Sequence, residues 1–399
     1  MRVKSNFLRV TILLLALACV PAAAQAETTT SSSEGDAPSS LTLEERIQKL
    51  EEQAKDSEAD LDDPLDERSY VGVFDALNLN LGGFLTQTLT LARGDKGTEV
   101  SPNQTLLELL IRAQPTERLS LFTALGWIRE AALNLTDPAE PNFRSQTNAT
   151  PLIIGWANYR HRDALQFRFG RFVTPHGIIN IQHFPPSLLE INQPQFLRPF
   201  SGATIFPDFT NGLEVHGRKR LGVGLLRYSL FGGVFSESPE HWVSGARTSW
   251  EWTETGLTFG LNGGGGSREA GGGGLANFST VPAQSLVGND YGLAGADILF
   301  DRGRILWKNE IFYTFEQGEQ DRLAFYTQPA FRITNRWQAF YRFDYLDPGQ
   351  DLPTTLEHAV GINFLAHRLL RVRLTSFYKD YLNGSDDVVI GQLSATVSF

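Results

Sequence analysis

The residues with the most distinctive chemistry are cationic side chains that alternate with apolar ones along short extended segments. Successive side chains of an extended segment point to opposite faces, so these cations occupy the face that the apolar residues leave. Six of them lie in mid-segment: Arg168, Arg227, Arg247, Lys308, Arg342 and Arg373. Six more lie nearer segment ends: Arg112, Arg160, Arg218, Arg332, Arg371 and Lys379. The acids predicted on the same face number five: Glu108, Glu214, Glu251, Glu310 and Asp344.

Such a surplus of cations has a functional and a structural interpretation. Charged side chains around an aqueous passage set its ion preference, and the arginine fork fits carboxylate and phosphate. Alternatively, individual arginines pair with acids or with loop carbonyls and stabilise the fold, an interpretation that applies especially around Arg198, Glu190 and Asp208. Both interpretations remain open for any single arginine. The overall surplus of cations over acids on this face favours the passage of anions. The predicted pore-lining residues are Arg168, Arg198, Arg227, Arg247, Lys308, Arg342 and Arg373.

The alternating segments predict a closed antiparallel β-barrel that crosses a membrane. Apolar side chains on one face and polar ones on the other, with Tyr and Trp near segment ends, are typical of transmembrane strands. A soluble sandwich also alternates but does not place its aromatic residues at strand ends. An even strand number suits a bacterial barrel. The sixteen predicted strands are 74–91, 104–114, 118–130, 151–161, 163–171, 212–219, 223–236, 242–253, 256–262, 290–300, 304–316, 322–333, 336–346, 356–366, 368–380 and 388–399.

Short and long connections alternate along this series, as turns and outer loops do in such barrels. The predicted outer loops are 92–103, 131–150, 172–211, 237–241, 263–289, 317–321, 347–355 and 381–387. The glycine-rich part of the fifth, 263–274, lacks a phosphate-loop pattern and is predicted to be a flexible loop.

The third of these loops, residues 172–211, is long and aperiodic. It contains six prolines, which exclude a central strand or a long helix, and six phenylalanines, too many for a solvated linker. We predict that it folds into the barrel and narrows it. The residues predicted at this constriction are Pro175, Glu190, Phe196, Phe200 and Asp208.

The N-terminal part of the chain has a different composition. Residues 1–26 combine basic residues, an apolar run and a small-residue cleavage site, which predicts a secretory signal peptide cleaved after Ala26. A lipoprotein signal acylated at Cys19 is the alternative. Residues 27–72 carry 14 acidic and 4 basic residues and are predicted to be a disordered tether and acidic linker around a short coiled coil at about 42–60. The coiled coil would gather protomers, or else lie as an amphipathic helix on a neighbouring surface. Residues 73–399 form the predicted barrel domain.

Other chemistry has little support in the sequence. No metal site is predicted, because the seven histidines lack metal-ligand spacing, and no cofactor is expected. Nothing groups a serine, a histidine and an acid as a hydrolase requires, so an enzyme is not predicted. An aromatic-lined sugar or general porin, or a non-conducting structural barrel, remains as an alternative. Nucleic acid is not an expected partner.

Three stretches resemble the phosphate-selective porin O/P superfamily and the DcaP-like porins. They are 169–177 (FGRFVTPHG), 197–199 (LRP) and 211–217 (NGLEVHG), which match that group's strand-to-loop motif, loop Arg-Pro and return strand. The resemblance implies a homotrimer of sixteen-stranded barrels, each narrowed by its third loop. Phosphate-specific members are rich in lysine, whereas this chain has four lysines after residue 60, so the solute stays open.

Together these observations predict a diffusion channel of the bacterial outer membrane for small anions such as phosphate or dicarboxylates. Membrane lipids and the barrel-assembly machinery, which would read the terminal Phe399, are the other expected partners.

Overall fold

The computed structural model describes residues 79–94, 97–134, 142–182, 184–197, 205–235, 241–267, 289–349, 353–382 and 385–399. The predicted signal peptide, tether and coiled coil lie outside these residues. Among the described residues, none belongs to a helix long and apolar enough to span a bilayer.

The described residues form a closed barrel of sixteen antiparallel strands, as predicted. Each strand pairs with its neighbours in sequence, and β1 pairs with β16 to close the ring. The strands are β1 Leu79–Gly94, β2 Gly97–Thr116, β3 Leu119–Asn134, β4 Asn142–Arg162, β5 Leu165–Val173, β6 Phe209–Leu221, β7 Gly224–Val234, β8 Trp242–Trp252, β9 Leu257–Ser267, β10 Asp290–Arg302, β11 Ile305–Glu316, β12 Arg322–Arg332, β13 Trp337–Asp347, β14 Thr355–His367, β15 Leu370–Tyr381 and β16 Ser385–Ser398.

The barrel wall separates side chains by parity. On β1, Leu85, Leu89 and Leu91 are exposed on the outer face, whereas Thr86 and Thr88 on the other parity are buried inside. The same alternation recurs on the other strands, and it leaves large apolar side chains facing outward where a lipid bilayer would meet them. The barrel is therefore a transmembrane one, with a polar and aromatic interior.

The C-terminal residue completes the ring. Gly83 N–H donates to the Phe399 carbonyl at 2.8 Å, and Phe399 N–H donates to the Gly83 carbonyl at 2.9 Å. A Cβ added at Gly83 would lie 2.9 Å from the Phe399 ring and 2.3 Å from the Glu108 carbonyl oxygen. Glycine at this position therefore leaves room for the Phe399 ring beside β1.

Two predicted outer loops are wrong in extent. Most of 92–103 and of 131–150 is strand, because β2 has 20 residues and β4 has 21. About 9–11 residues suffice to cross the hydrocarbon core, so these hairpins continue well beyond it. The glycine-rich run is likewise strand as far as Ser267, which corrects the prediction of a flexible loop from residue 263 onward.

Candidate pore

The third loop folds into the barrel, as the sequence predicted. Its backbone amides donate to side chains on the barrel wall at three points. Gly177 N–H donates to Asn262 of β9 at 2.9 Å, and Ile179 N–H donates to a Glu310 carboxylate oxygen of β11 at 2.7 Å. Gln195 N–H donates to Asp344 of β13 at 2.7 Å. Polar wall groups thus satisfy a backbone that has no strand partner of its own.

Cations on β13 and β15 bind the other side of the same loop. Arg373 donates through Nε and Nη2 to the Leu188 carbonyl at 3.3 and 3.1 Å, and Arg371 donates to that carbonyl at 3.2 Å. Arg342 donates to the Asn192 carbonyl at 2.7 Å and forms an ion pair with Glu190. These arginines hold the loop, as the structural interpretation of the sequence allowed.

Aromatic side chains anchor the loop to opposite sides of the lumen. Phe196 packs on Phe312, with ring centroids 5.4 Å apart, and is fully buried. Phe184 packs edge-on against Phe84 of β1 and Phe122 of β3, with ring centroids 6.0 and 6.5 Å apart. Burying such a ring contributes roughly 1.5–3 kcal/mol. Because these rings are buried against the wall, they pin the loop and do not offer a surface to a passing sugar.

Local sequence explains how the loop turns. Pro185–Ser187 and Gln195–Leu197 form single 3₁₀ turns, the first with proline at its start, where the missing N–H costs nothing. Gly177 has φ +70°, a left-handed conformation that side chains disfavour. A Cβ there would lie 2.0 Å from a Glu310 oxygen, so glycine is also required for the close approach.

Burial alters the titration of two loop residues outside the strands. It lowers the pKa of His176 to about 3, so this ring is neutral where it packs on Phe206 and Phe231. Burial raises the pKa of Asp208 to about 7, against the opposing effect of Arg171. Pro175 lies buried beside His176. Arg198 and Phe200 lie outside the described residues.

The predicted pore-lining residues fall into two groups. Lys308, Arg342 and Arg373 are almost completely buried beneath the loop. Lys308 donates to Gln182 of the loop. By contrast, Arg168 and Arg227 keep about a quarter of their side chains exposed, at 25% and 27%. Of these five side chains, the two of the second group are the more accessible to a solute.

Four partly exposed cations lie on the adjoining strands β5 to β8, which we call the arginine wall: Arg168, Arg218, Arg227 and Arg247. Arg168 lies over the Trp156 ring at 4.8 Å and pairs with Glu214 at 2.8 Å. Arg218 and Arg227 are direct cross-strand partners, an arrangement that like charges disfavour unless other groups compensate.

Acids compensate this wall in part. Arg227 pairs with Glu251 at 2.5 Å, and Arg247 forks onto Asp297 of β10 at 2.7 and 3.3 Å. Asn262 also donates to Asp297 at 2.9 Å, which links Arg247 through β9 to the loop at Gly177. Arg218 lies 3.9 Å from Asp163, so each of the four cations has an acid partner, and the side chains of Arg168 and Arg227 nevertheless stay partly exposed.

The predicted count of five inward acids is wrong. Asp297, Glu316 and Glu357 also face the interior and are nearly or fully buried. Asp297 was missed because it stands alone in the apolar stretch of β10, although parity with Tyr291 and Leu293 marks its direction. Two of the predicted cations, Arg160 and Arg332, lie at short turns, so the positive surplus is smaller than predicted and is localised.

Comparison with known proteins supports the fold alone. No protein-family model matches the sequence, and no curated protein matches it. Outer-membrane expressed OmpT of Vibrio cholerae superposes with a TM-score of 0.55 at 11% identity, covering 82% of this chain and 99% of that one. In-vitro folded OmpT of Vibrio cholerae in its trimer form superposes with a TM-score of 0.51 at 10% identity, covering 80% of this chain and 99% of that one. An anion-selective porin from Comamonas acidovorans superposes with a TM-score of 0.52 at 9% identity, covering 80% of this chain and 99% of that one. This chain therefore has the architecture of outer-membrane porins.

Proposed function

We propose that this protein is a passive diffusion channel of the outer membrane, with no enzymatic activity, that prefers small anions such as phosphate or dicarboxylates. The observation that carries the proposal is the separation of the interior charges. Cations beneath the third loop are buried and held by loop and wall groups, whereas Arg168 and Arg227 of the arginine wall keep about a quarter of their side chains exposed beside their acid partners. A low-dielectric barrel focuses the field of that wall onto the remaining passage.

The preference for anions follows from the donors that this wall presents. Arg168 donates one hydrogen bond through Nη1 to Glu214, and its guanidinium group lies over the Trp156 ring. These two contacts hold the guanidinium group in place. His216 and Asn158 are hydrogen-bonded at 2.8 Å beside it and add polar groups that suit an oxyanion. A solute that sheds water in the passage would exchange those hydrogen bonds for arginine donors.

Assembly as a homotrimer in the outer membrane belongs to the same proposal. A structural neighbour of the same fold is described as a trimer form, and the outward apolar face suits lipid or a second barrel. Phe399 would carry the signal for the barrel-assembly machinery.

The decisive experiment is the reversal potential of the purified protein in a planar bilayer under a salt gradient. We expect the sign of an anion-selective channel. Arg168→Gln with Arg227→Gln should move the potential toward zero, whereas Arg373→Gln, which lies beneath the loop, should change it much less. Cation selectivity of the unaltered protein would refute the preference, and absence of conductance would refute the channel.

A further inference from the structure

The short-turn end of the barrel carries a ring of exposed cations. Seven side chains lie on or beside the turns that join β2–β3, β4–β5, β6–β7, β10–β11, β12–β13 and β14–β15. We call them the turn ring: Arg118, Arg162, Lys219, Arg302, Arg304, Arg336 and Arg368. Within the described part of the chain, none of these side chains forms a hydrogen bond or an ion pair.

Few acids offset the turn ring. Three lie at the same turns, Glu117, Asp163 and Asp301, and a fourth, Glu254, lies at the turn between β8 and β9. Asp301 is bound by both Arg332 Nη atoms at 2.7 and 2.9 Å, and Asp163 lies 3.9 Å from Arg218. That leaves seven unpaired cations beside two unengaged carboxylates, a strongly positive rim. The other end differs, since the described side chains there include the acids Asp290, Glu316, Glu319, Asp321, Asp347 and Asp380.

A second, independent feature adjoins this ring. Large, well-exposed apolar side chains lie at or beside the turns of this end of the barrel: Leu221, Val223, Trp252, Ile305, Ile333 and Trp337. Arg304 precedes Ile305, and Arg336 precedes Trp337. An apolar or aromatic residue at the edge of the hydrocarbon, with a cation one residue further out, matches the boundary between acyl chains and headgroups.

We propose that the turn ring binds the phosphates of anionic phospholipids in the leaflet at the short-turn end of the barrel. The turns place these cations at the end of the barrel, level with the outward apolar side chains that mark the lipid boundary, where phospholipid headgroups lie. Basic residues at an anionic membrane surface attract its headgroups and act additively over a few neighbours. The arginines on three adjoining turns, Arg302, Arg304, Arg336 and Arg368, form the densest part.

The test uses full-length protein reconstituted in nanodiscs that contain brominated phosphatidylglycerol or brominated phosphatidylcholine. Quenching of tryptophan fluorescence, to which Trp337 beside Arg336 contributes, reports which lipid occupies the boundary. Unaltered protein should prefer phosphatidylglycerol. The quadruple variant Arg302→Gln, Arg304→Gln, Arg336→Gln, Arg368→Gln should lose that preference by roughly fivefold or more.

Two matched variants keep the result interpretable. Lysine at the same four positions retains the charge and should retain most of the preference. Arg93→Gln with Arg129→Gln removes exposed outward cations from the opposite end and should leave the preference near that of the unaltered protein. Heat-modifiable migration on gels confirms that each variant is folded.

The result that would overturn the proposal is equally specific. A folded glutamine variant with undiminished preference would show that the ring does not bind the headgroup. Loss of the preference in unaltered protein on adding millimolar inorganic phosphate would show a site for free anions in place of lipid. Neither outcome depends on the ion selectivity of the channel.

Discussion

Arg342 of β13 and Glu190 of the third loop form an ion pair that is almost entirely removed from solvent, with 1% and 0% of their side chains exposed. Glu357 at 2.7 Å and Asp344 at 3.7 Å complete a cage of three carboxylates around the one guanidinium. The cage joins the loop to β13 and β14, on the side of the lumen away from the arginine wall. It is one of the contacts that keep the loop inside the barrel.

The two partners of this pair should differ in their effect on stability. Arg342→Gln leaves three carboxylates without their shared cation and should lower the stability of the docked loop by roughly 3–5 kcal/mol. Glu190→Gln removes one charge and leaves Arg342 with two acids, so its effect should be clearly smaller. The midpoint of heat-induced gel shift measures both. Equal shifts would mean that the cage does not act as a unit.

Gly177 should be more sensitive to substitution than a glycine with similar backbone geometry. Gly177→Ala places a methyl group against the Glu310 carboxylate and displaces the loop, so single-channel current should become noisier and larger. Gly222 is the matched control, because its φ is +60° and an added Cβ meets nothing within 4 Å. Gly222→Ala should keep the unaltered conductance. Unaltered conductance in both variants would mean that the loop accommodates the added methyl group without moving.

Shortening the third loop should widen the passage. Replacing residues 180–205 with a short Gly/Ser bridge removes the Phe184 and Phe196 anchors that cross the lumen. Single-channel conductance should rise, and larger neutral solutes should enter liposomes that contain the variant. Membrane insertion should survive, since the strand pairs do not depend on the loop. A properly inserted variant with unchanged conductance would place the narrowest section elsewhere.

Closure of the barrel should depend on Gly83. Gly83→Ala forces the Phe399 ring and the β1–β2 pairing apart and should lower the temperature at which the barrel unfolds. Gly391 on β16 is the control, because an added Cβ there meets nothing within 4 Å. Gly391→Ala should be neutral within about 0.5 kcal/mol. A neutral Gly83→Ala would mean that the terminal ring moves aside freely.

The sequence predicted the strands well where they cross the membrane and poorly beyond it. Within the bilayer the outer face of each strand must be apolar, so apolar and polar residues alternate along the sequence, as they do in β11 and β13. Beyond it both faces meet water, and the outer parts of β2 and β4 lose their alternation and look like loops.

The sequence predicted which charged side chains face the barrel interior, but not which ion-pair partners they have. Parity alone places Arg168 and Arg342 inside the barrel. Whether each is exposed or buried depends on the path of the third loop and on cross-strand register, which brings Glu214 opposite Arg168 and Glu357 opposite Asp344. Those long-range relationships have no signature in the local sequence.

Placing the loop-binding cations on β11, β13 and β15, and the exposed cations on β5 to β8, has an evolutionary consequence. Among the described residues, the cations of the second set bond to wall acids and reach the third loop through Arg247, Asp297 and Asn262, so substitutions there would change permeability with less effect on the position of the loop. Substitutions on the first set would be purged for instability before any new permeability could be selected. Relatives of this barrel can therefore change their solute preference through substitutions on β5 to β8, while the cations on β11, β13 and β15 stay nearly invariant.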